Sequence, residues 1–410
     1  MLIGQFNDSF PPITDGVASV VRNYAHWITR EPRGDSRCVV VTPDVPRHQD
    51  ASEIFEVVRY ASVPFPFRKP YRFGMPHIDP QLMIRLQGIP FDLIHAHCPF
   101  SAGQLALGIA KRRKVPFVAT FHTKYREEFL PIVRSPVIAD ALTREVVRFF
   151  ERADSVWTVN DASVETLREY GYKGPVVVLK NGSDLLPSDP SRRRSPACAS
   201  VCHSLGVRED ETVFLYVGQH IWQKNLRLLI ESLALVKRGL MDSLDPPPKD
   251  GRPTFRMFFV GGGEAEKEMK ERLEELGLSS EARFLGVVRD RDILRGLFER
   301  ADLQLFPSTY DTAGLVVMEA ATALCPTLVI EGSSISEGIV EGVNGYLSKE
   351  SVEDYAAAVL RALSDREGLR RAGLNAQRDM HRHWSLVAEE VLVLYRDIIE
   401  RFQDRLERES

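Results

Sequence analysis

Residues 307–321 read PSTYDTAGLVVMEAA. The run before them, Asp302 to Phe306, is short, apolar and closed by Pro307, which suits a buried strand. The run after them, Leu315 to Leu324, is rich in Ala, Leu, Met and Glu and suits a helix. The stretch therefore reads as strand, tight loop, then a helix beginning near Thr312–Gly314. The first N–H groups of a helix have no internal partner, and the macrodipole adds partial positive charge there. The small residues Thr312, Ala313 and Gly314 let an anion approach that backbone closely. Asp311 would stand beside the anion, and Glu319 lies five residues beyond Gly314, roughly 7.5 Å down the axis. That is about the distance from a diphosphate to the ribose of one nucleotide. The plainer alternative is an N-cap acid followed by a solvated helix glutamate.

Strand-like and helical runs alternate on both sides of this stretch. Ahead of it come MLIGQF (1–6), CVVVTP (38–43), FDLIHAH (91–97), FVATFH (117–122), SVWTVN (155–160) and PVVVLKN (175–181). A second series holds TVFLYVG (212–218), FRMFFVGGG (255–263), ARFLGVV (282–288), LQLFPS (303–308) and PTLVIEG (326–332). Such alternation predicts parallel strands joined by crossover helices. The segment 188–196, SDPSRRRSP, reads as a solvated linker and 245–253, DPPPKDGRP, as a surface insertion. The expectation is two α/β domains, 1–184 and 185–384, with a final helical stretch 385–410 packing back on the first.

With 410 residues, 44% hydrophobic and 27% charged, the composition is that of an ordinary soluble protein. A net charge of −4 gives no basic field for nucleic acid. Five scattered cysteines suit a reducing compartment, and Cys198, Cys202 and His203 lack the fourth ligand of a zinc site. No apolar run reaches the ~20 residues of a membrane span, and the chain opens directly in a strand. A cytoplasmic protein, touching at most the inner face of a membrane peripherally, is expected.

The candidate functional residues cluster at strand ends, where open parallel sheets bind ligands. Lys224, just ahead of a helix Asn225–Lys237, reads as a mobile point charge for phosphate. The glycine turn 261–263 permits close backbone approach, and FLGVV (284–288) ends a strand where backbone groups could pair with a flat base. DRD (290–292) is read as helix capping and KRRK (111–114) as a solvated helix end. His95 and His97 alternate on one strand, as core or supporting groups as readily as ligands.

In this order, Lys224, Gly261–Gly263, FLGVV and the spacing from Asp311 to Glu319 resemble the family 4 glycosyltransferases of GT-B fold. NDSFPPITDGVASVVRNYA (7–25), FDLIHAHCPF (91–100), ATFHTKY (119–125) and LKNGSD (179–184) resemble the same family's first half. The resemblance implies two Rossmann-like domains whose parallel sheets face a central cleft. It implies a retaining, metal-independent hexosyltransferase that needs no cofactor, takes a nucleotide sugar (UDP-glucose or a related UDP-hexose) as substrate and holds no metal. On this resemblance His122, Lys224 and Asp311 carry the chemistry. Gly16, Gln219, Lys224, Gly263, Val287, Thr312, Ala313, Gly314, Leu315 and Glu319 would hold the donor. On the same resemblance, Glu319 would take the ribose diol and Asp311 the sugar hydroxyls.

Three positions depart from the family pattern, one of them Ala313, which stands where a phenylalanine is common. Gln219 stands where an arginine is usual, with His220 or Arg289 as substitutes for its charge; Asp311 stands where a glutamate is usual. A lipid or glycan acceptor is expected on the first domain. There VPFPFRKPYRFGMP (63–76) interleaves aromatics with Arg68, Lys69 and Arg72, and Arg126, Arg144 and Arg148 follow. A sugar-nucleotide epimerase or hydrolase, or a non-catalytic sugar-nucleotide sensor, remains the alternative.

Overall fold

The computed structural model describes residues 1–13, 15–31, 34–66, 70–191, 195–243 and 254–409. The insertion read at 245–253, the arginines at 192–194, Arg68 and Lys69 lie outside them. The chain divides into two compact units, Met1–Asn181 with Trp384–Ser410, and Gly182–His383.

The first unit is built on a seven-stranded sheet in the order β3-β2-β1-β6-β7-β8-β9, parallel throughout. Its strands are β1 (Leu2–Phe6), β2 (Arg37–Pro43), β3 (Glu56–Tyr60), β6 (Leu93–Ala96), β7 (Phe117–Phe121), β8 (Ser155–Thr158) and β9 (Val177–Val178). β4 (Ser62–Pro64) and β5 (Arg72–Gly74) form a separate antiparallel hairpin. Every residue of β6 and β7 is buried, as expected when helices cover both faces of a parallel sheet. The chain steps outward from β1 to β3, then returns to the other side of β1 as β6. The switch point, where a ligand crevice opens in such sheets, thus lies beyond the C-terminal ends of β1 and β6.

The helix Trp384–Glu409 completes this unit. Trp384 packs edge-on to Tyr24 with ring centroids 5.6 Å apart, and Tyr395 stacks on Trp157 at 5.4 Å. All four rings are essentially inaccessible.

The second unit holds a six-stranded parallel sheet in the order β12-β11-β10-β13-β14-β15. The strands are β10 (Val213–Val217), β11 (Arg256–Val260), β12 (Ala282–Gly286), β13 (Leu303–Phe306), β14 (Thr327–Ile330) and β15 (Tyr346–Ser348). Here the switch point falls between β10 and β13. The loops leaving those two strands carry Lys224 and Asp311.

Three elements escape the sequence reading. β3, with sequence EVVRY, is an edge strand interrupted by charge; β15 has only three residues; and the β4–β5 hairpin sits in a proline-rich stretch. The described ends of the segment read as a linker are anchored. Ser188 is buried and donates its hydroxyl to Glu299 Oε1, Ser195 donates to the other carboxylate oxygen, and Ser195 caps the helix Pro196–Leu205. Serines that look solvated in sequence are here anchored to one glutamate. The units divide earlier, at Asn181/Gly182.

Candidate active site

In the second unit, the chain leaves β10 through Gly218 and Gln219, makes a 3₁₀ turn at Trp222–Lys224 and enters the helix Leu226–Ser243. Lys224 is not the mobile charge expected from sequence. It is buried, its ammonium pairs with the Asp311 carboxylate, and it sits 5.3 Å from the centre of the Tyr310 ring. The second carboxylate oxygen of Asp311, Oδ2, is buried with no partner among the described residues. A desolvated acceptor of this kind is costly unless a donor fills it. It suits a sugar hydroxyl.

The helix after Asp311 runs Leu315–Thr322, starting one residue past the expected Thr312–Gly314. Its N-cap is Gly314, at φ 53°, and not an acid. Among the described residues the N–H groups of Ala313, Gly314 and Leu315 have no acceptor. Thr312 lies in the same loop. Both parts of the plainer reading therefore fail: Asp311 does not cap, and Glu319 is not solvated. The Glu319 side chain is 15% exposed and lies 2.6 Å from Arg291, which also pairs with Asp184. Burial pushes the Glu319 pKa above the usual carboxylate value, and Arg291 partly opposes that rise.

Asp184 and Arg291 were not singled out from sequence. Arg291 was visible as the middle of DRD, read for its acids alone, and Asp290 does cap that helix through Asp292 N and Ile293 N. A cation at the first position of a helix opposes the macrodipole, which was a usable sign of a partner elsewhere.

The glycine turn has a different reason from the one expected. A Cβ on Gly263 would stand 2.3 Å from the His220 carbonyl, and one on Gly261 would stand 1.9 Å from the Gly218 carbonyl. These glycines let the turn pack on the loop after β10, where His220 N also donates to Gly262 O at 3.0 Å. Gly286, at the end of β12, spends its carbonyl on Gly261 N–H at 2.9 Å, leaving Val287 as the exposed residue past that strand. His220 does not replace the missing arginine charge. It is fully buried, bonds Glu266 through Nδ1 at 3.2 Å, and burial lowers its pKa. Arg289 is exposed, and Gln219 accepts a bond from the Tyr216 hydroxyl at 3.0 Å through its carbonyl. Among the described residues no group of three or more His, Cys, Asp or Glu could hold a metal ion.

Gly16 and His122 belong to the first unit. Gly16 opens the helix Gly16–Thr29 behind the cap Asp15, and a Cβ there would meet nothing within 4 Å. Unlike Gly263, it is not demanded by internal packing, so bare backbone faces open space. His122 follows β7; it is buried, its Nε2 lies 2.9 Å from His97 Nδ1, and burial lowers its pKa to about 3. His95 and His97 are lowered as well, chiefly by burial. Three imidazoles neutral in the fold can each bind a proton once unfolded, near pH 6.5. Their contribution is complete above about pH 6.5 and is lost as pH falls towards their folded values, at up to about 1.4 kcal/mol per pH unit for each. Urea midpoints at pH 7.5, 6 and 5 should therefore fall steeply, and His97→Gln should flatten the fall.

Of the basic residues assigned to an acceptor surface, Arg72 is consumed by the hairpin, bonding Ser62 Oγ and O. Arg126 pairs with Asp140 and Arg148 with Glu145. Arg144 and Arg134 have no ion pair among the described residues. They flank an exposed apolar row, Ile132, Val137, Ile138 and Leu142, with Val137 75% exposed. These residues span the helices Tyr125–Val133 and Pro136–Phe150 and the turn between them. Among the described residues no helix is long and apolar enough to cross a membrane.

Two Rossmann-like units of this kind, each with its candidate residues beyond parallel strand ends, define the GT-B class. The profile of glycosyltransferase family 4 matches residues 14–185, and that of the glycosyl transferases group 1 matches 203–379. The chain belongs to the family 4 glycosyltransferases. It is 24% identical over 364 residues to an alpha-monoglucosyldiacylglycerol synthase of Streptococcus pneumoniae, covering 88% of this chain and 78% of the relative. A D-inositol 3-phosphate glycosyltransferase of Corynebacterium urealyticum is 26% identical, with 77% and 73% covered. In fold, the chain is similar to Anabaena Alr3699/HepE, crystallised with UDP and glucose, at a TM-score of 0.73 and 19% identity over 96% of this chain and 98% of that one.

Proposed function

We propose that this glycosyltransferase moves glucose from UDP-glucose to a membrane glycolipid precursor, with retention of anomeric configuration and without a metal ion. The observation that supports this most is the group beyond β10 and β13. Lys224, the bare N–H groups of residues 313–315 and the half-satisfied Asp311 carboxylate stand there, with Glu319 further along the same helix. Positive charge and N–H donors aimed at one place favour a departing diphosphate, whose charge grows as the glycosidic bond breaks. Lys224 and the helix start supply the field that a divalent cation supplies elsewhere. Asp311 holds sugar hydroxyls through its unfilled oxygen, and Glu319, fixed by Arg291, accepts both O–H groups of the ribose. Gln219, Gly263 and Val287 border the nucleotide. In retention the attacking hydroxyl arrives on the side of the leaving phosphate, which takes its proton.

The acceptor reading rests on the apolar row at 132–142 with Arg134 and Arg144, which suits partial insertion beside anionic headgroups, and on the glycolipid synthase among the relatives. The protein would then work at the cytoplasmic face as a peripheral enzyme. The test is UDP release from UDP-glucose in EDTA, with anionic vesicles with and without diacylglycerol, and with inositol 3-phosphate. Release that requires diacylglycerol is expected. Release only with inositol 3-phosphate would move the acceptor to phosphorylated polyols, and release only on adding magnesium or manganese would refute metal independence.

Glu319→Gln should raise the KM for UDP-glucose roughly tenfold or more with kcat nearly unchanged, since ribose contacts are alike in ground and transition states. Steady-state kinetics decide it: a collapse of kcat at constant KM would give Glu319 a chemical part.

A further inference from the structure

Arg291 opens the helix Arg291–Arg300, and Glu319 lies in the middle of the helix Leu315–Thr322. Leu294, one turn beyond Arg291, and Ala320, next to Glu319, belong to one buried apolar cluster, and Leu185 joins it. Packing of these apolar side chains brings Asp184, Arg291 and Glu319 together. Asp184 is also held through its neighbours. Ser183 N–H donates to the Arg382 carbonyl at 2.8 Å, and Leu185 N–H donates to the Ser183 hydroxyl at 3.2 Å. All of these residues lie in the second unit.

A single nitrogen of Arg291, Nη2, meets both acids. It donates to Asp184 Oδ1 and, at 2.6 Å, to Glu319 Oε1. That nitrogen carries two hydrogens, so each acid takes one and the guanidinium cannot turn without losing a bond. The arrangement that pairs an arginine most tightly with one carboxylate, two parallel bonds from its fork, is not used. Arg291 Nε is buried with no partner among the described residues. Only one oxygen of Glu319 is occupied as a result, and its Oε2 takes no bond among the described residues.

Two negative charges face one positive charge here. Desolvation pushes Glu319 towards its protonated form, Arg291 opposes that, and Asp184 adds to it. The Asp184 charge also reaches His383, and His381 Nδ1 is 3.0 Å from the Thr322 hydroxyl on the Glu319 helix. The charged groups on the helices packed against that helix are paired elsewhere, among them Arg295 with Asp292 and Arg378 with Asp379. The two strands beneath it, β13 and β14, carry no charge.

We infer that Arg291, oriented by Asp184, is a positioning residue for the donor: it holds Glu319 as a carboxylate with Oε2 open to the ribose. This rests on the reading of Glu319 as the group that takes the ribose diol. A carboxylate accepts from both hydroxyls. A carboxylic acid carries a proton of its own at that place, and one hydroxyl is left unpaired. Donor affinity is therefore high above the folded pKa of Glu319 and falls as pH drops through it. Without Arg291 that fall begins at higher pH, and without the Asp184 charge it begins at lower pH.

The test uses full-length protein and UDP-glucose, whose diphosphate keeps its charge between pH 4.5 and 8.5. Infrared difference spectra of the ligand-free protein read the ionisation of Glu319, assigned by the carboxyl signal lost in Glu319→Gln. Calorimetry reads the Kd for UDP-glucose at each pH. In Arg291→Met both curves should move to higher pH by about one unit, the lower end for an opposite charge this close, because the Arg291 side chain is 40% exposed. In Asp184→Asn both should move to lower pH. Arg291→Lys, which keeps a charged donor, should reverse most of the Arg291→Met shift. A merely structural role would change melting temperature in these variants without moving the curves in opposite directions. Glu319 titrating at the same pH in the wild type and Asp184→Asn, or moving up in that variant, overturns the inference even if Arg291→Met does not fold. So does a folded Arg291→Met protein with unchanged Glu319 titration. Ionisation that shifts as expected while UDP-glucose affinity ignores it would instead refute the ribose reading, and with it the role given to Arg291.

Discussion

Lys224→Met is expected to lower kcat for glucosyl transfer by roughly 10²- to 10³-fold, the usual cost of removing one preorganised donor from a developing anion. The ammonium already stands between Asp311 and the Tyr310 ring in the ligand-free protein, so little reorganisation precedes its meeting with phosphate. The same change leaves the Asp311 carboxylate desolvated without its partner, and breaking a largely buried pair costs on the order of 3–5 kcal/mol when one charge is stranded. The Asp311 side chain keeps 22% exposure, so the lower end applies. These two effects separate in a double variant. Lys224→Met with Asp311→Leu replaces the pair by apolar groups and should recover most of the lost melting temperature while transfer stays at least as low as in Lys224→Met. Melting curves and transfer rates on the three variants check this. Activity returning together with stability would mean that the pair only holds the loop.

Gly314→Ala should be the most disruptive single methyl in the second unit's site. Gly314 adopts φ 53°, where an L side chain is strained by roughly 1–2 kcal/mol. Its Cβ would also lie 2.6 Å from Ile335 Cγ2, a branched and buried side chain that cannot swing away. Overpacking of this kind costs about 1–3 kcal/mol more. Relief by either route turns the N–H groups of residues 313–315 away from the phosphate, so both melting temperature and UDP affinity should drop. Adding Ile335→Ala opens the space and should restore part of the stability, but little of the affinity, because the backbone strain remains. Calorimetry on the two variants distinguishes them; full UDP affinity in Gly314→Ala would show that the helix start does not hold the anion.

The parts of the fold that are legible in sequence are those set by local pattern. Runs such as CVVVTP, FVATFH and TVFLYVG are apolar on both faces and could only be interior strands. β3 and β15 escape because an edge strand tolerates charge and a three-residue strand leaves no period to detect. In the site, the loop 311–315 and Lys224 are legible because turn chemistry and helix starts are local signals. Their pairing across 87 residues is not, and it turns an apparently mobile lysine into a fixed one. Arg291 and Asp184 are hidden for the same reason, with 107 residues between them.

The proposed transfer retains anomeric configuration at a site that needs no metal. The measurement that reaches this most directly is the anomeric configuration of the glucolipid formed from UDP-glucose and diacylglycerol vesicles in EDTA, read from the anomeric proton coupling of the isolated product. An α-glucoside, matching the donor, is the predicted result. A β-glucoside, or UDP released at the same rate with no acceptor present, would contradict it.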